Sequence, residues 1–238
     1  MSSIAFHLDS PMQSWGASSR FQYRETDPFP SKSGIIGLVA AALGIDKHAP
    51  DEAERLAPLT ALRFTAIRLP KKHAVTRFTD FHTIGGGYDK KRSSAEKMSI
   101  PRKASGAPFG TVITRRSYLT DAVFIAILTG EDETLLAQTQ NALLDPVWGV
   151  WFGRKTCIPA SPLSPVIAPS PREALATLLQ KLGRDTAETE ALEGVTEEDG
   201  PGTWFQADQP VAFGRHHGAV PEPYHSRPVR RITAHDLV

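Results

Sequence analysis

The 238-residue sequence has a single cysteine, Cys157. It therefore has no internal disulfide framework, and a lone thiol fits a reducing compartment. Long apolar runs are also missing. The longest, within Gly34–Ile45, is well short of the roughly 20 residues that a membrane-spanning helix needs. The opening stretch MSSIAFHLDS lacks the basic n-region and apolar core of a signal peptide. These absences predict a soluble, cytoplasmic protein with no membrane partner. There is no G-x-x-x-x-G-K-[ST] phosphate loop, so nucleotide hydrolysis has no support. No G-x-S-x-G elbow or Cys/His nucleophile arrangement is visible. His216 and His217 are adjacent, a poor spacing for chelation on one face, so neither a metal nor another cofactor is expected.

Net charge is also small, at +1, but it is unevenly spread. Arg63–Arg116 holds 13 Lys/Arg against three acids, and Asp185–Asp199 holds seven acids and no base. A basic middle beside an acidic late segment suggests a polyanion-binding face; two solvated surface stretches are the plainer alternative.

Ile4–Leu8 alternates as a first strand. The loop after it interleaves Trp15, Phe21 and Tyr23 with Arg20 and Arg24, types that stack on bases and grip phosphates or simply anchor a loop. Trp15, followed by Gly16, looks more like an anchor. Phe29–Ile45 is the stretch on which the rest is organised. Pro30 blocks a helix before it, Ser31 and Ser33 are capping types, and Ile35, Leu38, Val39 and Ala42 share one face. Gly34, Gly37, Ala41 and Gly44 make a second face of small residues. An interior helical glycine costs about 1 kcal/mol relative to alanine, which implies a close approach to that backbone. The helix N-terminus, with Lys32 and two hydroxyls, offers N–H groups and a positive dipole end to a phosphate. A capped helix packed on a sheet needs no phosphate at all.

Leu62–Leu69 reads as a second strand. Val75–Thr83 and Thr111–Leu119 are extended runs around a glycine-rich basic stretch without apolar periodicity, so Val75–Leu119 reads as a long basic hairpin. Asp121–Thr129 is almost continuously apolar, as a central strand is. A helix over Glu131–Leu144 stops at Pro146. Strand, helix, strand, inserted hairpin, strand, helix is the βαββαβ ferredoxin-like plan shared with RNA-recognition domains. In Val147–Pro159, Trp148 and Trp151 read as core, and Arg154 and Lys155 as phosphate contacts. Pro171–Leu182 is a short helix, Asp185–Gly202 an acidic linker, and Thr203–Val238 a minor lobe with a basic cluster at Arg227, Arg230 and Arg231. The expected fold is thus α+β. A ferredoxin-like domain over residues 1–170 carries an inserted long basic β-hairpin at 75–119, and residues 171–238 supply the helix, linker and small C-terminal lobe.

A metal-independent ribonuclease remains open on residue types. It needs a Tyr or His to deprotonate a 2′-hydroxyl and a Lys to hold the developing charge, and Tyr23, His82 and Lys155 are available. A pure protein-interaction module, with the basic hairpin meeting an acidic partner, is a further alternative.

The chain resembles the CasD-type subunits of the type I-E CRISPR surveillance complex, Cascade, members of the repeat-associated RNA-binding superfamily. The matching pieces are S-P-M-Q-S-W-G at Ser10–Gly16, P-S-K-S-G-I-I-G-L-V-A-A-A-L-G-I at Pro30–Ile45 and D-F-H-T at Asp80–Thr83. R-R-S-Y-L-T-D-A-V-F at Arg115–Phe124 and F-G-R-K-T-C-I-P at Phe152–Pro159 continue them in family order. The resemblance implies a non-catalytic subunit that caps the 5′ handle of the CRISPR RNA in antiviral defence. Its implied protein partners are a backbone subunit and the large subunit. It implies RNA contacts at Lys32, Ser33 and Gly34, at Arg115, Arg116 and Tyr118 on the return strand of a thumb-like hairpin, and at Arg154 and Lys155. The residues themselves add Arg20, Arg24, His82, Lys90, Lys91 and Arg92 to the RNA-binding candidates.

Overall fold

The structure, a computed structural model, describes residues 1–16, 22–71, 74–84, 112–184, 191–198, 200–214 and 224–237. The chain is a mixed α+β protein with antiparallel sheets. Its strands in order are β1 (Ser2–Asp9), β2 (Met12–Gln13), β3 (Tyr23–Arg24), β4 (Arg63–Leu69), β5 (Thr76–Ile84), β6 (Val112–Thr120), β7 (Val123–Gly130), β8 (Val166–Ala168), β9 (Glu193–Thr196), β10 (Trp204–Pro210) and β11 (Tyr224–Thr233). The helices are α1 (Lys32–Ala42), α2 (Glu52–Ala61), α3 (Glu133–Leu144) and α4 (Pro171–Lys181). Among the described residues, no helix is long and apolar enough to cross a membrane.

The large sheet has seven strands in the order β10-β11-β9-β4-β7-β1-β8. β7 sits between β4 and β1, and its residues alternate between two cores. Phe124, Ala126 and Leu128 face a core shared with Ile35, Leu38 and Val39 of α1, Leu56 and Leu59 of α2, and Leu136 and Leu143 of α3. Val123, Ile125 and Ile127 face the other core, closed by Ala174, Leu175, Leu178 and Leu179 of α4. A strand covered on both faces must be apolar at every position, which is why β7 reads as an unbroken run.

The helices start where their caps allow. Ser31 accepts the Gly34 N–H at 3.2 Å, Asp132 accepts that of Leu135 at 2.9 Å, and Ser170 accepts that of Glu173 at 3.2 Å. The small face of α1 is used as expected: a Cβ on Gly34 would lie 2.9 Å from the Trp15 ring, and one on Gly37 would lie 3.4 Å from that of Phe213.

A smaller sheet is centred on β6. β5 lies antiparallel to it from Thr76↔Thr120 to Ile84↔Val112, β3 lies parallel to it, and β2 pairs at its end. The connection between β5 and β6 lies outside the described residues.

Two expectations need correction. The expected acidic linker contains β9, which pairs with β4 through Thr65↔Thr196, Ala66↔Val195 and Ile67↔Gly194. β11 then pairs with β9, and β10 with β11. The tail is therefore a continuation of the main sheet rather than a separate small lobe. Without β9, β4 would expose an unpaired edge, and covering that edge is the physical gain. Trp148, expected in the core, is exposed.

Candidate nucleic-acid interface

The loop after β1 is anchored by Gln13. Its side-chain amide donates to the carbonyls of Leu8 (3.0 Å) and Ala122 (2.8 Å), and its oxygen accepts the Trp15 indole N–H at 2.9 Å. Trp15 is buried against Phe152, with ring centroids 6.1 Å apart. The Ser14 N–H donates to the Phe152 carbonyl at 3.0 Å. Gly153 has φ +92°, and a Cβ there would fall 1.7 Å from the Ser14 carbonyl oxygen. Only glycine allows the two loops to touch at this point.

This junction opens into a cleft of about 360 Å³ beside the α1 N-terminus. Arg24, Ser33, Gly34, Gly153 and Arg154 line it together with Glu25, Phe213 and Tyr224. Four residues singled out in the sequence, from three separate segments, thus converge. The Arg154 guanidinium is held in place: it donates to the carbonyls of Ser117 (2.8 Å) and Arg24 (2.7 Å) and lies 4.6 Å over the Tyr118 ring. Glu25 accepts the Ser117 hydroxyl at 3.1 Å and faces Arg77 at 3.7 Å. Burial, then the charge of Glu52, pushes the Tyr224 hydroxyl above its ordinary value, so it stays a donor near neutral pH. Two guanidinium groups, hydroxyls and glycine backbone suit an anionic, oxygen-rich ligand.

Lys32 does not join them. It is 1% exposed, and its ammonium lies 2.7 and 2.9 Å from the two carboxylate oxygens of Glu197. Its backbone N–H donates to Asp208 at 2.7 Å. Asp208 in turn takes the Arg227 guanidinium at 2.6 and 3.0 Å. The helix N-terminus that looks open to a phosphate in the sequence is thus met by one of the chain's own carboxylates, which satisfies both the dipole and a buried cation. Burial pushes the Lys32 ammonium below its ordinary value, against the pull of Glu197. Nothing in the sequence marks Glu197 or Asp208, because their partners lie 165 and 176 residues away.

The other candidates are dispersed. Tyr118 is buried beneath Arg154, so its ring supports the cleft rather than lining it. Arg116 is half-buried and donates to the Thr114 hydroxyl at 3.2 Å. Lys155 is exposed and lies 5.6 Å over the Trp151 ring. His82 is 2.6 Å from Asp80. Tyr23 is opposite Arg115 and His82 opposite Thr114, and neighbouring strand positions point to opposite faces, so the nuclease candidates Tyr23 and His82 do not converge. Arg20, Lys90, Lys91 and Arg92 lie outside the described residues. Among those described, no group of acidic, His or Cys side chains could hold a metal ion.

Fold and cleft define a class: an α+β protein with antiparallel sheets and a cleft lined by glycine and arginine. The chain belongs to the family described as CRISPR-associated protein (Cas_Cas5), whose model matches residues 3–219. It is 28% identical over 201 residues to the CRISPR system Cascade subunit CasD of Escherichia coli (strain K12), covering 80% of this chain and 83% of that protein. A chain of a CRISPR RNA-guided surveillance complex superposes with a TM-score of 0.70 at 29% identity, over 97% of this chain and 89% of that one. A crystal structure of a Cas protein gives 0.62 at 27% identity, over 98% and 94%.

Proposed function

We propose that the chain is a non-catalytic subunit of a type I-E Cascade complex that binds and caps the 5′ handle of the CRISPR RNA, next to a backbone subunit and the large subunit. The observation that carries this is the cleft where Arg24, Ser33, Gly34, Gly153 and Arg154 meet. A bent RNA backbone presents anionic oxygens at short spacing, and this cleft offers guanidinium, hydroxyl and exposed backbone to them. The strand order β4-β7-β1-β8, with α1 following β1 and α3 following β7, supports a ferredoxin-like, RNA-recognition-like core. β5 and β6 support a thumb rooted beside the cleft.

The test is purification of the tagged chain from cells, with sequencing of bound RNA and mass spectrometry of bound proteins. Handle-containing CRISPR RNA and Cascade subunits are expected. Arg24→Ala should weaken RNA binding and flatten the log–log salt slope by roughly 0.7 for each single-strand phosphate no longer neutralised. Metal-independent cleavage of a CRISPR repeat by the purified chain, or recovery without any RNA, would overturn the reading.

A further inference from the structure

The small sheet carries a row of side chains that the cleft does not use. Tyr23 and Phe81 sit on the two strands flanking β6, and both are opposite Arg115. Cross-strand partners share a face, so the three form one line across the sheet. The Arg115 guanidinium lies 5.4 Å over the Tyr23 ring and 5.4 Å over the Phe81 ring. Tyr23 is nonetheless 52% exposed and Phe81 61% exposed. Each ring gives the guanidinium one face and keeps much of its surface in solvent. No carboxylate among the described residues pairs with Arg115. The nearest acid on that face in register, Glu25, is engaged by Ser117 and Arg77. Asp80 projects to the opposite face, with His82.

We infer that Tyr23, Arg115 and Phe81 form a stacking platform for unpaired bases of single-stranded RNA; the inference rests on the RNA-binding reading above and assigns it a second, base-contacting surface. An apolar docking face would not place at its centre a cation that no described carboxylate pairs, whereas aromatic rings alternating with arginine are the chemistry of base stacking beside a phosphate chain. The rings are anchored two strand spacings apart, about 10 Å. Bases stacked on each other in a helix cannot rest on both rings, but splayed bases of a single strand can. The platform thus favours single strands over duplexes and is tolerant of sequence.

The test uses the full chain and two fluorescent probes, a short oligoadenylate and the abasic oligomer of equal length and charge. Phe81→Leu keeps apolar bulk but removes the ring. It should lower oligoadenylate affinity about tenfold, leave abasic affinity unchanged and leave the salt slope unchanged. Tyr23→Leu should act in the same way, and Tyr23→Phe should restore binding. Thermal melting of each variant separates these effects from unfolding. If the wild-type chain binds oligoadenylate and Phe81→Leu and Tyr23→Leu bind it equally well, the platform is refuted while the cleft stands. Equal loss on both probes also refutes it. If the leucine variants keep RNA but lose a copurifying protein, the face is a protein dock and the inference fails. A wild-type chain that binds neither probe overturns the RNA-binding reading and this inference together.

Discussion

Asp208 accepts a helix N-terminal N–H from 176 residues away and a buried guanidinium from 19 residues away through the same carboxylate. Asp208→Ala would leave Arg227 charged, buried and unpaired, and would remove the cap from Lys32. Breaking a buried pair in this way typically costs about 3–5 kcal/mol. Urea denaturation should show a loss of that order, and Asp208→Asn, which keeps an acceptor, a smaller one. Lys32→Ala belongs with these stability variants: it should lower stability, with RNA affinity preserved at equal folded fraction. A second residue-scale effect belongs to His7, buried in β1 with its Nδ1 3.3 Å from the Ser161 hydroxyl. Burial holds its imidazole below the ordinary 6.5, with smaller contributions from neighbouring charges. The unfolded chain therefore binds a proton that the folded chain refuses, and stability falls as pH drops below 6.5 toward the folded value. The urea midpoint should fall on acidification from neutral pH to about 5, and less so in His7→Gln.

At the scale of elements, the sequence is readable wherever one local signal decides the outcome. The Ser31 cap, the period of α1 and the unbroken apolar run of β7 each mark an element within one or two residues of its observed bounds. β5 and β6 are equally plain as strands, because alternation survives on both sides of the stretch that breaks it. β9 is not legible. Glu193–Thr196 is four residues long and set among acids, and it is a strand only because β4 and β11 lie on either side. The site shows the same division. Arg24, Ser33, Gly34 and Arg154 stand out by residue type, and their convergence in one cleft follows from the Gln13 and Gly153 junction. Lys32 mimics a phosphate ligand in the sequence because its counter-charge comes from the far end of the chain. Phe81 gives no signal of its own, because strand alternation does not reveal which face stays uncovered.

The whole molecule is a sheet faced by α1, α2 and α3 on one side and α4 on the other, with the small sheet and its cleft beside the α1 N-terminus. β4 finds its second neighbour in β9, whose Thr196 lies 131 residues beyond Thr65, and α1 finds its carboxylate in β10. Vectorial synthesis therefore leaves an extended interval in which the early strands have emerged from the ribosome and their closing partner has not. Contacts of such long sequence separation form late, and an open strand edge is a template for the wrong partner meanwhile. Chains stalled with β9 to β11 still inside the ribosome should populate aggregates or chaperone complexes, and a C-terminal linker long enough to bring Thr233 out of the exit tunnel should release them, measurable by solubility of stalled nascent chains of graded length. Completion of the cleft is in this sense timed: the residues that would touch RNA are made early, but the helix end that supports them is secured only by the last strands to arrive.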